Sequence, residues 1–327
     1  MPTDHRHIKI TERVSTRLKL KQLRLLVAIS QHRSILHAAQ ELNISQPAAT
    51  KLIKDLEADF GVTLFERTNR GVAPTAYGDA LIKHGKLILA QIANAAQELD
   101  DLSEGAGGRV VVGTLLAASA SLLPQTIQRL HRLRPNVTIA IREGTNSVLM
   151  PALRLGDVDM VVGRLPEYRH RQELVQESLF VEQIRIVVRP GHVLARGGEV
   201  DLQDLACREW ILPPPDTTLR RQIDKEFLDR GLAPPLNAVE SVSFLTNRTL
   251  LTTTDMLGAF PFHVIENEIR LGILAVVPCR LNLISIPVGV SYRRTGGLTP
   301  AAAGFLDMLR GNAEDLRNAP DFQISFI

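Results

Sequence analysis

Cysteine is scarce in this chain of 327 residues. Only Cys207 and Cys279 occur, far apart and not as a CxxC pair, which argues against a disulfide framework and predicts buried free thiols. No run of about 18 uncharged apolar residues is present, so the sequence contains no transmembrane candidate. The polar N-terminus lacks the apolar segment of a signal peptide, and we therefore expect a cytoplasmic protein.

Signatures of catalysis and of cofactor binding are also missing. The sequence has no GxSxG, HExxH or P-loop motif, and its nine histidines are scattered. The glycine-rich stretch 103–109 follows a predicted helix and precedes a predicted strand, the reverse of what a phosphate-binding loop requires. We interpret it as a linker, and we expect a protein that is not an enzyme and that holds no metal or cofactor.

Charge is unevenly distributed along the chain. Residues 1–75 hold 12 Lys and Arg against 7 Asp and Glu, whereas the remainder holds 26 against 28. A basic end on a near-neutral body indicates an acidic partner, such as nucleic acid or a membrane surface. The membrane alternative is the weaker one, because no basic amphipathic helix at this end presents large apolar residues.

Residues 34–60 carry the pattern of two short helices joined by a tight turn. The first is predicted from Ser34 to Leu42. Ser45 then stands where an N-cap belongs, and Pro47 falls in the first turn of the second helix. The predicted apolar face of the second helix comprises Ala48, Leu52, Ile53, Leu56 and Phe60. This layout is typical of a helix-turn-helix that places its second helix in the DNA major groove, although an ordinary helical hairpin has the same pattern.

The segment after this pair of helices predicts a β-wing. Gly61 is placed to end the second helix. A basic turn that contains Arg67, Asn69 and Arg70 lies between two short extended segments, and Pro74 closes the second of them. Directly after a helix-turn-helix, such a hairpin favours a wing that reaches phosphate or the minor groove over an ordinary polar hairpin.

The stretch from Leu20 to Ile82 resembles the winged helix-turn-helix of LysR-type transcriptional regulators. The motifs that carry the resemblance are LNISQPA, IxxLE, GVxLFER and PTxxG. Thr50 and Lys51 depart from the Ser and Arg that are frequent in the family, but they keep the hydroxyl and the charge. The tail 1–17 has no assigned role.

The resemblance implies a set of DNA-binding residues. These are Lys21, Ser45, Gln46, Pro47, Thr50, Lys51, Lys54, Arg67, Asn69 and Arg70. The residues that open the second helix would meet bases and nearby phosphates, and Lys54 would lie along the DNA backbone. Lys21 and the wing arginines would hold phosphates or the minor groove. Glutamine can bond adenine through two hydrogen bonds, and lysine can reach guanine or phosphate.

Residues 76–102 carry an uninterrupted helix pattern with a heptad seam. The seam consists of Leu81, Gly85, Ile88, Ile92, Ala95, Leu99 and Leu102. Such a seam predicts either pairing of two chains or packing on the same domain. We favour dimerisation through Leu81, Ile88, Ile92 and Leu99, which the resemblance also implies. A homodimer or homotetramer would present two recognition helices to two DNA half-sites.

From Arg109 onward the sequence alternates between strand and helix patterns, which predicts an α/β fold with largely parallel sheets. This part resembles the effector-binding domain of the same family, which has two lobes like a periplasmic binding protein. The expected fold is therefore α/β, with an N-terminal winged helix-turn-helix, a long linker helix and a two-lobed C-terminal domain. The expected boundaries are 1–17 for the tail, 18–76 for the DNA-binding domain, 77–103 for the linker helix, 109–164 with 268–312 for lobe I, 165–267 for lobe II, and 313–327 for a C-terminal tail.

Ligands of open α/β sheets bind beyond the carboxyl ends of the strands. This rule and the resemblance select Ala117, Ala118, Ser119, Thr145, Arg164, Pro214 and Asp216 as effector-binding residues. Thr145 and Arg164 are the preferred contacts, because a hydroxyl at a helix N-terminus and a guanidinium suit a small carboxylate. Arg164 has an alternative role in an ion pair between the lobes, and Ser119 has one as a helix cap. His263 is expected to be structural.

Together these patterns predict a LysR-type transcriptional regulator. It would bind double-stranded operator DNA and respond to a small acidic effector from catabolism, aromatic or derived from a sugar. RNA polymerase is a further expected partner, and a membrane is not. Two alternatives stay open at this point. One is a ligand-binding protein whose N-terminal domain mediates protein contacts, and the other is an enzyme that uses the α/β cleft.

Overall fold

The computed structural model of the chain describes residues 17–69, 71–104, 107–166, 173–235, 238–279 and 287–318. The chain forms two compact units, Met1–Ala96 and Gln97–Ile327, and each is described by itself. Within the ranges just given, no helix combines the length and the apolar character that crossing a bilayer requires. The predicted N-terminal tail, apart from Arg17, and the wing residue Arg70 lie outside the described residues.

The first unit begins with three helices: α1 (Leu20–His32), α2 (Ile35–Glu41) and α3 (Gln46–Phe60). Ser34 and Ser45 cap α2 and α3, since each hydroxyl accepts a hydrogen bond from the backbone N–H three residues later. Gly61 ends α3 at a φ of 69°, a left-handed conformation that suits glycine. The core between the helices includes Leu25, Leu26, Ile29, Ala38, Ala39, Ala49, Ile53 and Leu56.

The prediction that Ala48 lies on the apolar face of α3 is wrong. Ala48 is exposed and Ala49 is fully buried in its place. Ala49 lies four residues before Ile53 and seven before Leu56, so these three side chains share one side of the helix. The lack of side-chain bulk at Ala38, Ala39 and Ala49 allows the helices to pack closely.

The wing follows as an antiparallel hairpin of β1 (Phe65–Thr68) and β2 (Gly71–Pro74). Glu57 of α3 holds its base, because its carboxylate accepts the N–H groups of Leu64 at 2.7 Å and Phe65 at 3.3 Å. The N–H of Val72 donates to the carbonyl of Arg33 at 2.9 Å. The wing is thereby fixed to two helices of the same unit.

Helix α4 (Ala76–Glu104) leaves the wing through Thr75. The Thr75 hydroxyl donates to the carbonyl of Thr63 at 2.7 Å and accepts the N–H of Gly78 at 3.2 Å. Leu81, predicted to lie in the dimer seam, is half-buried against the core of its own unit. Farther along α4, three predicted seam residues remain exposed: Ile88 at 40%, Ile92 at 42% and Leu99 at 68%. The first part of the seam therefore packs within the unit.

The second unit contains two five-stranded sheets and their covering helices. In chain order its elements are β3 (Gly108–Thr114), α5 (Leu116–Ser119), α6 (Leu122–Leu133), β4 (Val137–Glu143), α7 (Asn146–Leu155), β5 (Met160–Arg164), β6 (Leu174–Val181), β7 (Ile184–Val188), a 3-10 turn (Val193–Ala195), α8 (Leu202–Ala206), β8 (Trp210–Leu212), α9 (Thr218–Asp229), β9 (Ala238–Glu240), α10 (Phe244–Thr253), β10 (Leu257–Pro261), α11 (Phe262–Arg270), β11 (Ala275–Val276), β12 (Pro287–Arg293) and α12 (Pro300–Asn318).

Each sheet belongs to one lobe and combines parallel and antiparallel pairs. Lobe I has the strand order β4-β3-β5-β12-β6, and lobe II has β11-β7-β10-β8-β9. In lobe I, β12 runs antiparallel to both β5 and β6. In lobe II, β7 runs antiparallel to both β10 and β11. The expectation of largely parallel sheets is therefore too simple, because the strands next to the passages between the lobes run against their neighbours.

The predicted lobe boundaries are wrong. Strand β6 follows residue 164 but pairs with β12 in lobe I, and β11 follows residue 268 but pairs with β7 in lobe II. The first passage between lobes therefore lies at 182–183, and the second follows β11 and precedes β12. The predicted C-terminal tail also begins too early, because α12 continues to Asn318 and Ala313 is fully buried in the core of lobe I.

Candidate functional site

The outer face of α3 gathers half of the predicted DNA-binding side chains on one surface. Gln46, Pro47, Thr50, Lys51 and Lys54 line a single shallow groove. All of them are exposed except Thr50, which is half-exposed. The opposite side of the same helix is buried, so its rotation is fixed. The face therefore presents one amide, one hydroxyl and two ammonium groups outward, the donors and acceptors that base edges and phosphates require.

Four further predicted DNA-binding residues lie beside α3 or on neighbouring elements of the first unit. Lys21 is exposed in the first turn of α1, and Arg67 and Asn69 are exposed on the wing. The hydroxyl of Ser45 accepts the N–H of Ala48 at 3.4 Å and thus serves α3 as its cap. Asp55, which was not predicted, adds a carboxylate to the groove of α3.

The second unit contains a cavity of about 660 Å³ between its two lobes. Lobe I lines it with the ends of β3, β4 and β5, and lobe II lines it with the ends of β8, β9 and β10. The first residues of α7, α9 and α10 also line this cavity. Helix N-termini carry free N–H groups and a positive partial charge, so the cavity offers hydrogen-bond donors to a ligand from both lobes.

Four of the predicted effector-binding residues line the cavity, and three are displaced from it. Ala117, Ser119, Thr145 and Arg164 belong to its lining. Ala118 is fully buried in the core of lobe I instead. The Pro214 carbonyl accepts the Thr217 hydroxyl at 2.7 Å, and this turn leaves Asp216 exposed. In the described lining, Pro213 and Thr217 take the places predicted for Pro214 and Asp216.

Comparison with protein families assigns both units. Residues 20–79 match the family described as bacterial regulatory helix-turn-helix protein, lysR family. Residues 103–314 match the LysR substrate binding domain. The chain belongs to the LysR family of transcriptional regulators.

This LysR-type regulator resembles other regulators over most of its length. It is 34% identical over 302 residues to the HTH-type transcriptional regulator GbpR of Azospirillum brasilense, covering 92% of this chain and 88% of that protein. It is 30% identical over 280 residues to PcaQ of Agrobacterium fabrum, covering 86% and 90%. Full-length CbnR, solved in complex with its target DNA, shares the fold with a TM-score of 0.63 at 22% identity, covering 90% of this chain and 100% of that one. The predicted family, fold class and regulatory function are confirmed.

Arg164 of the regulator lines the cavity between the lobes but is already paired. Its Nε donates to Oε1 of Glu182, which lies in the passage from lobe I to lobe II. The Glu182 side chain is fully buried and that of Arg164 is 13% exposed. The alternative prediction, an ion pair of Arg164, is therefore present, and the preferred one, a guanidinium that binds an effector carboxylate, stays a prediction. No local signal in the sequence identifies Glu182, because its burial depends on the crossing between lobes.

His263 connects the two lobes beside this ion pair. Its Nε2 donates to the carbonyl of Ala117 at 2.6 Å, from α11 of lobe II to α5 of lobe I. The imidazole ring also packs edge-on against Phe180, with ring centroids 5.5 Å apart. Burial lowers the pKa of His263, which the hydrogen bond to Ala117 and the nearby Glu182 only partly offset. His263 is expected to be structural, and its contacts specify that role, because the side chain links a wall of the cavity in lobe I to lobe II.

The stability of the second unit should fall as pH drops below about 6.5, the ordinary pKa of histidine. Because the folded state lowers the pKa of His263, the unfolded state takes up its proton first, and each such proton costs up to about 1.4 kcal/mol per pH unit. Stability stops falling once the pH is below the pKa of His263 in the folded state. Urea unfolding of the full chain between pH 7.5 and 5 measures this slope.

The variant His263→Gln isolates the contribution of this one residue. Glutamine can still donate to the Ala117 carbonyl but does not titrate. His192, whose pKa is also lowered by burial, contributes to both proteins alike and cancels in the comparison. The variant should show a shallower pH dependence, and identical slopes for the two proteins would contradict the assignment.

Proposed function

We propose that this regulator recognises operator DNA with the exposed face of α3 and contacts phosphates with Lys21 and the wing. The observation that supports the proposal is the groove that gathers Gln46, Thr50 and Lys51 on the solvent side of a helix whose rotation is fixed by the burial of Ala49 and Ile53. The N-terminal residues of such a helix meet base edges in the major groove. Arg70 keeps its predicted role at the wing, although it lies outside the described residues.

Gln46→Ala should reduce sequence discrimination, whereas Lys54→Ala should weaken all DNA binding alike. Loss of a two-fold hydrogen bond to a base costs about 1–3 kcal/mol of discrimination, because the matching base edge is left unpaired. Loss of a phosphate contact should lower the slope of log affinity against log salt by about 0.9. Gel shifts on the DNA next to the regulator's own gene and on a scrambled duplex, at several salt concentrations, measure both effects.

Gln40→Ala serves as the matched control for these substitutions. Gln40 is exposed on α2 and does not line the groove of α3, so the control should bind like the unaltered protein. Equal losses in the three variants, or equal affinity of the unaltered protein for the two duplexes, would count against the proposed surface.

Two chains of the regulator pair through the exposed part of α4. Ile88, Ile92 and Leu99 are separated by four and seven residues, a spacing that places them in one stripe. Burying a large aliphatic side chain stabilises an interface by about 1.5–3 kcal/mol. A pair of chains contacts DNA with two recognition helices at once. The pair therefore binds DNA more tightly than one short helix could alone. The first predicted seam residue, Leu81, serves its own unit instead.

Ile92→Asp should convert the regulator to monomers and lower operator affinity at least roughly ten-fold, because a carboxylate in an apolar seam is costly to bury. Sedimentation velocity measures the mass and gel shift the affinity. Ala93→Asp introduces the same charge at an exposed position next in sequence and off the stripe, and it should leave both unchanged. If Ile92→Asp sediments like the unaltered protein, the pairing surface lies elsewhere.

The effector binds in the cavity between the lobes and stabilises one arrangement of the lobes over the others. This change alters the contacts that the paired chains make with DNA. An acidic group of the effector is best accommodated at the N-termini of α7, α9 and α10, because Arg164 is held by Glu182. RNA polymerase is the proposed further partner, and the cytoplasm the proposed place of action. The relatives are regulators rather than enzymes, which supports a role without catalysis.

A further inference from the structure

The cavity between the lobes is lined by two side chains that each keep an unused oxygen acceptor. Asn146 is the first residue of α7 in lobe I, and Asn247 belongs to α10 in lobe II. Asn247 is 3% exposed. Among the described residues, neither the Oδ1 of Asn146 nor the Oδ1 of Asn247 has a hydrogen-bond partner, and both atoms are buried.

The orientation of both amides follows from the partners of their nitrogens. Nδ2 of Asn146 donates to the carbonyl of Arg164 at 3.0 Å, and Nδ2 of Asn247 donates to the carbonyl of Ser241 at 3.4 Å. Exchanging nitrogen and oxygen would set two acceptor oxygens against each other. The unused atom of each amide is therefore oxygen, which needs a donor. A buried acceptor without a donor costs about 1–3 kcal/mol of stability. A ligand that donates a hydrogen bond to these oxygens would remove that cost.

Several hydroxyls of the same cavity are engaged within the protein. The hydroxyl of Thr145 pairs with that of Ser147 at 2.7 Å. The Ser243 hydroxyl accepts the Thr246 hydroxyl at 3.0 Å and thereby helps to cap α10. A ligand donor that reaches either amide oxygen would therefore displace no existing bond of the protein, whereas these hydroxyls already take part in hydrogen bonds within it.

The helix N-termini decide which kind of donor the ligand carries. An ammonium group would face the positive partial charges of α7, α9 and α10, which disfavour a cation. A hydroxyl can donate to an amide oxygen and accept from a helix N–H at the same time. Since the two amide oxygens belong to opposite lobes, the ligand needs at least two hydroxyls set apart on its carbon chain.

We propose that Asn146 and Asn247 determine effector specificity by each accepting a hydrogen bond from an effector hydroxyl, so that the effector is a polyhydroxylated sugar, sugar alcohol or sugar acid. This rests on the proposed function, in which the cavity is the effector site. A ligand that donates to both lobes binds one lobe arrangement better than others, as a regulatory effector must.

Matched six-carbon probes test the proposal on the full-length chain. Hexonates such as gluconate and galactonate, the corresponding hexitols, and hexanoate share the carbon chain but differ in hydroxyls and carboxylate. We expect at least one hydroxylated probe to raise the thermal midpoint and hexanoate to leave it unchanged. Binding of hexonates alone identifies a sugar acid, and binding of hexitols as well identifies a neutral polyol.

Asn247→Leu separates ligand recognition from a structural role. Its affinity for the hydroxylated probe should fall at least about ten-fold, which corresponds to about 1.4 kcal/mol. Its midpoint without ligand should change little, because removing a buried unsatisfied oxygen offsets the loss of the long hydrogen bond to the Ser241 carbonyl. Asn146→Ala, on the other lobe, gives a second measurement if the first variant does not fold. Ser291→Ala is the control: its hydroxyl is also buried without a partner among the described residues, but it lies in β12 away from the cavity.

Three results would overturn the proposal. These are binding of hexanoate as tight as that of the hexonates, full affinity in both asparagine variants, and no binding of any hydroxylated probe. In each case, salt-sensitive and sequence-preferring operator binding by the same preparation would leave the proposed regulatory function standing. Loss of that DNA binding in the unaltered protein would instead count against the proposed function.

Discussion

Arg164→Ala is expected to destabilise the second unit of the regulator by about 3–5 kcal/mol. The substitution leaves the fully buried carboxylate of Glu182 without its guanidinium partner. The second oxygen of that carboxylate, Oε2, already has no hydrogen-bond partner within the part of the chain that the structure describes. A buried charge that loses its counter-charge is among the costliest defects in a protein interior, because its hydration is not restored.

Arg154→Ala provides the matched control in the same lobe. Arg154 pairs with Glu173 at 2.6 Å, but the two side chains are 26% and 45% exposed. Water screens such a surface pair, so its removal should cost at most about 1 kcal/mol. Urea unfolding of both full-length variants gives the comparison. Equal losses in the two variants would show that Glu182 does not require Arg164.

The double variant Arg164→Ala with Glu182→Gln tests the cause of the loss. Glutamine occupies nearly the same volume without a charge, so part of the stability should return even though the ion pair is absent. This outcome also bears on effector binding. If Arg164→Ala alone abolished an effector response, the double variant would show whether the effector needed the guanidinium or only an intact lobe.

The helix-turn-helix could be predicted from the sequence because its signals are local. Ser45 and Gly61 flank α3, Pro47 lies in its first turn, and the observed bounds are Gln46–Phe60. The misplaced Ala48 shows the limit of that approach. Ala48 and Ala49 have the same side chain, and only the packing against α1 and α2 decides which one is buried.

The lobes of the second unit could be predicted only in outline. Alternating patterns are enough for an α/β fold, but they do not state which sheet a strand joins. Strand β6 and strand β12 are far apart in sequence and pair in lobe I, so the passage at 182–183 could not be located. The pairing of Arg164 with Glu182 and the unused oxygens of Asn146 and Asn247 depend on that passage and on the approach of the lobes. The position of the cavity between the lobes was therefore predicted, but the chemistry of its lining was not.

Gly78→Ala should abolish stable docking of the wing in the DNA-binding unit. Gly78 lies in the first turn of α4, where helix propensity alone would favour alanine by about 1 kcal/mol. An added Cβ would, however, overlap the carbonyl oxygen of Leu64 and lie 3.1 Å from the Cβ of Pro74. The Leu64 oxygen is a backbone atom and cannot move aside by changing rotamer. Overpacking of this kind typically costs about 1–3 kcal/mol, and sometimes more, so the clash outweighs the gain in propensity.

The position of this clash makes the effect larger than an ordinary loss of packing. The Leu64 carbonyl accepts the N–H of Thr75 at 2.9 Å, where the wing leads into α4. Displacing that carbonyl would disturb the base of the hairpin that carries Arg67 and Asn69. We therefore expect a net destabilisation of roughly 2–3 kcal/mol, together with weak operator binding at temperatures where the unaltered protein still binds.

Gly85→Ala tests the explanation on the same helix. An added Cβ there would meet side-chain atoms, with Cδ2 of Leu23 at 3.3 Å and Cγ2 of Val27 at 3.7 Å. Side chains can shift by a few tenths of an ångström, so the gain in helix propensity should offset the crowding and leave stability nearly unchanged. Thermal unfolding and gel shifts of the two variants decide the matter. If the Gly78→Ala protein were as stable as the Gly85→Ala protein, the wing and α4 would approach each other less closely than in the structure.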